Sequence, residues 1–273
     1  MHAAKVMARQ GLNAHSGPFR RMALASGFLI CAALAGISKP AHAWDWGWGP
    51  KVTGSGHITT TSRAITGFSS IDLSIPADVK LVQGSSEGLT LETDDNISPL
   101  VETVVENGRL VIRFQKKIGS INTKVLRMTV NARTIEQLEV SGSGNISADK
   151  LQAPHLKCNI AGSGDMRIGD LDVSSLRVSI AGSGDFLASG KTDTLEGSIA
   201  GSGDIRTHGL SANSVKITIA GSGDAAVWAK RQLKISIAGS GDVSYFGDAE
   251  VSKSIAGSGS IRHLGSGPAS TKP

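Results

Sequence analysis

The chain has 273 residues, of which 34 are glycine, 8 are proline and 4 % are aromatic. Glycine in excess without proline excludes a disordered low-complexity chain and points to many tight turns. The formal charge of +5 comes entirely from the first 43 residues, where Lys5, Arg9, Arg20, Arg21 and Lys39 meet no acidic residue. The remainder is neutral, which excludes nucleic acid as a partner, because phosphate backbones demand a basic footprint.

Residues 1–43 read as a secretory signal peptide. Arg20 and Arg21 form its positive end, Met22 to Ile37 its apolar run, and Ala41-His42-Ala43 a small-x-small cleavage site that leaves Trp44 as the mature N-terminus. The apolar run of 16 residues is shorter than the roughly 20 needed to span a bilayer. No stable membrane span is expected once the signal is removed. Export by the general or the twin-arginine route stays open. Cys31 leaves with the signal, so Cys158 is alone and forms no internal disulfide.

Residues 44–61 form a Trp/Gly-rich segment that begins WDWGWGP. It reads as an arm folded over one end of the core, the alternative being an aromatic surface that stacks on sugars or lipid. Within it, TGSGH at 53–57 looks like an isolated copy of a motif that recurs later. From residue 64 to 140 the apolar residues alternate as in strands: Ile71, Leu73, Ile75; Val79, Leu81; Leu89, Leu91; Leu110, Ile112, Phe114; Leu126, Met128, Val130. Only Ser98 to Glu106 is expected to form a short helix.

From residue 141 an internal repeat takes over. SGSGN at 141–145 is followed by AGSGD at 161–165, 181–185, 200–204, 220–224 and 238–242, and by AGSGS at 256–260. The first glycines are Gly142, Gly162, Gly182, Gly201, Gly221, Gly239 and Gly257, spaced 20, 20, 19, 20, 18 and 18 residues apart. Apolar residues alternate before each GSG (Leu176, Val178, Ile180; Val215, Ile217, Ile219) and after it (Met166, Ile168; Phe186, Ala188).

A unit of 18–20 residues cannot bury such a face alone, but parallel stacking places like residue over like in interior columns about 4.8 Å apart. The fold expected is therefore all-β: a single-stranded parallel β-helix, or solenoid, of about seven coils turned at GSG corners and preceded by a β-rich N-terminal part. Glycine at the corners permits positive φ and close approach of stacked backbones. Ser163, Ser183, Ser202, Ser222 and Ser240 are expected to stack as a hydroxyl ladder. Cys158 takes a place filled by Val178 and Ile217 in other coils, so it reads as a small core residue rather than a nucleophile.

Asp165, Asp185, Asp204, Asp224 and Asp242 should form a vertical carboxylate ladder. Neighbours about 5 Å apart have the spacing of a retaining glycosidase pair. Catalytic carboxylates, however, need unlike environments, and here every layer offers the same one. Turn chemistry is the preferred reading; calcium binding by the ladder stays open, although the copies lack the nonapeptide of calcium-binding rolls. His57, His155, His208 and His263 show no metal-ligand spacing. No catalytic, cofactor-binding or metal-binding residue is therefore assigned.

The segments SRAITGFSSIDLSIPADVKLVQG, LTLETDDNISPLV, NGRLVIRF and LEVSGSGNI, together with the AGSGD series, resemble the auto-transporter adhesin, head GIN domain family over residues 62–262. The resemblance implies a single-stranded β-helix with GSG at its turns, similar to the pectin-lyase type of fold. It also implies bacterial export and an adhesive role with no catalytic residue to carry over. No membrane-barrel pattern follows the repeats, and residues 263–273 read as a flexible tail. The function expected is that of an exported, non-catalytic solenoid, a structural or adhesive surface of the bacterial envelope, with a glycan or cell-surface component as partner. The alternative is a polysaccharide-binding or polysaccharide-cleaving β-helix, which a cluster of unlike groups on one exposed face would favour.

Overall fold

A computed structural model describes residues 49–116 and 118–268. The signal segment, its cleavage site and Trp44–Trp48 lie outside the described residues. What is described is almost entirely strand. The N-terminal part holds β1 (Lys51–Thr53), β2 (Ile58–Arg63), β3 (Ser70–Leu73), β4 (Asp78–Gln83), β5 (Gly88–Asp94), β6 (Val101–Glu106), β7 (Arg109–Phe114), β8 (Ser120–Asn122), β9 (Leu126–Ala132) and β10 (Gln137–Gly142). The repeats then give one long bent strand each: β11 (Asn145–Gly162), β12 (Met166–Gly182), β13 (Phe186–Gly201), β14 (Ile205–Gly221) and β15 (Ala225–Gly239). The last strands are β16 (Val243–Phe246), β17 (Glu250–Gly257) and β18 (Ile261–His263). No helix among the described residues is long and apolar enough to cross a membrane.

The repeat strands pair in parallel, copy on copy. Gly142, Gly162, Gly182, Gly201, Gly221, Gly239 and Gly257 fall in one column, as do Ile160, Ile180, Ile199, Ile219, Ile237 and Ile255. Strand β12 shows how a coil closes. Its buried residues are Met166 and Ile168, then Leu171 and Val173, then Leu176, Val178 and Ile180. Alternation by two keeps side chains inward along a strand. The two steps of three, from Ile168 to Leu171 and from Val173 to Leu176, turn the backbone while keeping side chains inward. With the GSGD corner these make three faces. Coils of unequal length differ at the minor bends, where the register shifts at Ile168/Leu171, Leu187/Ser189, Thr207/Ser211 and Ala212/Ser214. The face that ends at each GSG keeps strict register.

The corner explains its own sequence. Gly221 has φ 137°, in the region that side chains avoid. A Cβ there would also overlap the carbonyl of Gly201 in the coil before, and one on Gly223 would overlap that of Gly203. The first glycine meets both constraints and the second the steric one. Between them the N–H of Ser222 donates to the Gly201 carbonyl at 2.9 Å. The corner serines point into solvent, and it is their backbone N–H groups, rather than a hydroxyl ladder, that bridge the coils.

The N-terminal part does not stack in chain order. Strand β3 lies between β7 and β10, with Ile71 beside both Leu110 and Leu138. Strand β4 lies between β9 and β11. The chain therefore builds an inner coil first, runs outward to build the coil beneath it, and returns above. The outer coil is edged by antiparallel strands: β6 on β7, β5 on β9, and β2 on β5. Such pairing covers parallel edges that invite association.

Two local expectations are corrected. Ser98–Leu100 forms a single 3-10 turn, and Val101–Glu106 is a strand rather than a helix. β-branched Val101, Thr103, Val104 and Val105 favour that outcome. TGSGH at 53–57 runs from the last residue of β1 into the loop before β2 and lies against Asp94 and Asn96; it is not a member of the corner column. At the other end, order runs beyond β18: the N–H of Leu264 donates to Tyr245, and the Gly265 carbonyl accepts from Gly247.

Candidate functional site

The expected aspartate column is present, and its chemistry is specific. In each coil one carboxylate oxygen accepts the backbone N–H of the aspartate one coil further on. The N–H of Asp185 reaches Asp165 Oδ1 at 3.0 Å, that of Asp204 reaches Asp185 at 3.1 Å, that of Asp224 reaches Asp204 at 2.9 Å, and that of Asp242 reaches Asp224 at 2.7 Å. The series ends where Ser260 N–H meets Asp242 Oδ1 at 2.8 Å. It begins at Asn145, whose Oδ1 accepts the N–H of Asp165 and whose Nδ2 donates to Asp78 Oδ1. An amide is the group required there, since it offers an acceptor to the next coil and a donor to the carboxylate behind it.

Charge-assisted bonds to backbone N–H groups favour the ionised form. For Asp242 the Ser260 hydroxyl, then the Ser260 N–H, hold the carboxyl below its ordinary range. Asp242 is an acceptor fixed in place, opposite in character to a proton donor. No group of three or more His, Cys, Asp or Glu among the described residues is arranged to hold a metal ion.

The row next to the ladder is not uniform. Its outward members are Ser147, Arg167, Leu187, Arg206, Ala226, Ser244 and Arg262, in register from coil to coil. Arg206 bridges two rungs, reaching Asp204 Oδ2 at 2.7 Å and Asp185 Oδ2 at 3.0 Å. The small Ala226 and Ser244 follow, and a groove of about 340 Å³ opens over them. Arg206 and Arg262 close its ends, and Asp224, Asp242 and His208 line its sides. Sequence reasoning missed this group of unlike residues. The signal that finds them is the break in size along one column once the repeats are aligned.

A second hollow, of about 420 Å³, lies beside the TGSGH loop. Its carboxylate is Asp94, only 3 % exposed. Asp94 accepts from the Thr123 hydroxyl and, at 2.6 Å, from Gly56 N–H. These two bonds, in that order, hold its pKa below the ordinary range. One oxygen fastens the loop at Gly56 and the other holds Thr123, so this carboxylate is structural. Cys158 is fully buried, and burial pushes its thiol pKa upward. That fits a core residue and leaves no reactive thiolate.

Fold and corner together define a GSG-cornered parallel β-solenoid. The chain matches the family described as "putative auto-transporter adhesin, head GIN domain" over residues 67–249, and it belongs to that family. It is thus an adhesin-like solenoid; the family description names no enzyme activity. Its structure is similar to that of a "putative lipid binding protein" of Parabacteroides distasonis ATCC 8503, at TM-score 0.69 and 27 % identity over 79 % of this chain and 100 % of that one. It is also similar to a "putative adhesin" of Bacteroides fragilis NCTC 9343, at TM-score 0.74 and 23 % identity over 78 % of this chain and 100 % of that one. A third, from Parabacteroides merdae ATCC 43184, has TM-score 0.65 and 24 % identity over 78 % and 99 %. The last two likenesses concern the fold alone. No curated protein matches the chain.

Proposed function

We propose that this protein is an exported, non-catalytic solenoid that presents an adhesive surface in the bacterial cell envelope. The observation that carries the reading is the ladder. From Asp165 to Asp242 each carboxylate has an oxygen committed to the next coil's backbone. A hydrolytic pair needs one carboxyl kept protonated and one kept ionised by unlike surroundings, whereas Asp242 is pushed toward the ionised form. Family membership supports adhesion. Residues 1–43 supply the export signal.

The test is retention of beads coated with the protein on bacterial cells, read beside N-terminal sequencing of the protein recovered from the periplasm or medium. Saturable retention and a mature chain beginning at Trp44 are expected. Retention equal to that of uncoated beads, or a chain that keeps Met22–Ile37, would contradict the proposal.

A further inference from the structure

We infer that the groove over Ala226 and Ser244 is a binding site for a neutral pyranose unit of a glycan. The inference rests on the adhesive reading above and deepens it by naming the surface and the ligand class.

Three properties of the groove converge. The first is shape. Along a column that otherwise carries Lys80, Ser147, Arg167, Leu187, Arg206 and Arg262, two small residues fall in adjacent coils and leave about 340 Å³. That volume is at the lower end for small-ligand sites, roughly 300–1,000 Å³. Arg206 and Arg262 stand three coils apart, which sets the length of the floor at about 14 Å from the strand spacing.

The second is pre-organisation. Asp224 and Asp242 each have Oδ1 held by a backbone N–H of the next coil, at 2.7 and 2.8 Å. Their positions are fixed before any ligand arrives, so little ordering is needed on binding. A carboxylate has acceptor capacity beyond one such bond, part of it taken at Asp242 by the Ser260 hydroxyl, and sugar hydroxyls donate to it strongly.

The third is charge balance. Arg206 is paired with Asp185 and Asp204, one guanidinium against two carboxylates. Of the charged groups lining the groove, Asp224, Asp242 and Arg262 are left. Two acceptor carboxylates beside one guanidinium repel a polyanion and suit a ligand that both donates and accepts without charge. Adjacent hydroxyls of a pyranose do so: they donate to Asp224 and Asp242, and accept from Arg262 and from His208 when that imidazole presents an N–H. No bond is made or broken in this binding.

The experiment uses the full secreted protein on an array of glucose-, galactose-, mannose- and N-acetylglucosamine-terminated oligosaccharides. Uronate oligosaccharides form a second arm, and melting with calcium chloride alone a third. The variants are Ala226→Trp, which fills the groove and leaves every ladder residue in place, Asp224→Asn, and Arg167→Ala as a change in the same column outside the groove. Melting curves establish that each folds. Binding to a neutral glycan by the wild type and by Arg167→Ala, weakened at least tenfold in Ala226→Trp and in Asp224→Asn, is the expected result. Binding confined to uronates, binding untouched by Ala226→Trp, or no array binding overturns the inference. So does a calcium-dependent rise in melting temperature lost in Asp224→Asn, which would make the groove a cation site. Should Ala226→Trp alone misfold, Asp224→Asn decides the matter: a tenfold loss supports the groove, and undiminished binding overturns it. Bead adhesion that survives in Ala226→Trp overturns the groove but leaves the adhesive reading standing, whereas wild-type beads that do not adhere sink that reading itself.

Discussion

At the residue scale, hydrogen bonding settles why a column of like charges is tolerated. Repulsion between carboxylates one coil apart is about 1 kcal/mol in water, and each rung gains a charge-assisted bond to a backbone N–H. The column's start makes the point testable. Asn145 is exposed and faces Asp78 through its Nδ2 at 2.8 Å. Asn145→Asp removes that donor and sets two carboxylates against one another, so it should destabilise by about 1 kcal/mol at neutral pH. The deficit should shrink on acidification, as the added carboxyl takes up a proton. Melts of both proteins at pH 7 and pH 4 check this, and a gap that does not shrink would contradict the ladder as described.

The acid limit of the wild type follows from the same groups. Asp242 and Asp94 are both depressed in the folded protein, the first by Ser260, the second by Thr123 and then Gly56. Glu196 is depressed by Lys216 and then Arg177. A depressed carboxyl adds stability above its unfolded value, about 3.9 for Asp and 4.3 for Glu, and that stability is lost as pH falls through the lower folded value. The urea midpoint should therefore stay level between pH 5 and 8 and fall below about pH 4. A loss already complete between pH 7 and 5 would mean that these carboxylates do not set the limit.

At the element scale, the long strand turned at GSG is what the sequence displays most openly. Period and alternation place Leu156, Cys158 and Ile160, and their counterparts up to Ile237, in three buried columns, where the structure has them. The third face is hidden in the sequence because a three-residue step precedes it, so Leu171, Val173, Leu210 and Ala212 fall out of phase with the alternation on either side. The exchange of order between β3, β7 and β10 is equally hidden. Strand alternation gives the inward face but not the neighbour, and only contact pairs Ile71 with Leu138. In TGSGH the motif is present, but no stacked coil adjoins it, and its glycines serve Asp94 instead.

The corner itself yields a graded prediction. Gly221→Val meets both a disallowed φ and the Gly201 carbonyl, and strain of this kind is of order 1–3 kcal/mol before any clash. Ser222 is exposed and contributes through its backbone N–H, so Ser222→Ala should change stability by less than about 0.5 kcal/mol. Urea unfolding of the two variants measures the ratio, which should exceed several-fold; equal small effects would mean that this is no tight corner.

At the scale of the whole molecule, stacking decides what kind of surface the protein offers. The coil interiors are mainly apolar, with Thr192 and Thr207 as buried exceptions, so the core says little about ligands. Outward positions are freer to differ, and the pair of small residues Ala226 and Ser244 is the difference that opens a groove. The last coil breaks the interior pattern instead. Lys253 follows Ile235 in its column, and Ser260 takes the place of an aspartate at the end of the ladder. A charged residue on an exposed edge discourages further strands from adding.

A solenoid of this kind is expected to hold its partner without altering it. Size-exclusion chromatography with light scattering tests that directly, with the protein mixed with polysaccharide isolated from the cell envelope. A complex that elutes ahead of the free polymer, with the polymer mass unchanged after prolonged incubation, is the predicted result. A polymer mass that falls with time, in proportion to the protein added, would show a cleaving enzyme and contradict it.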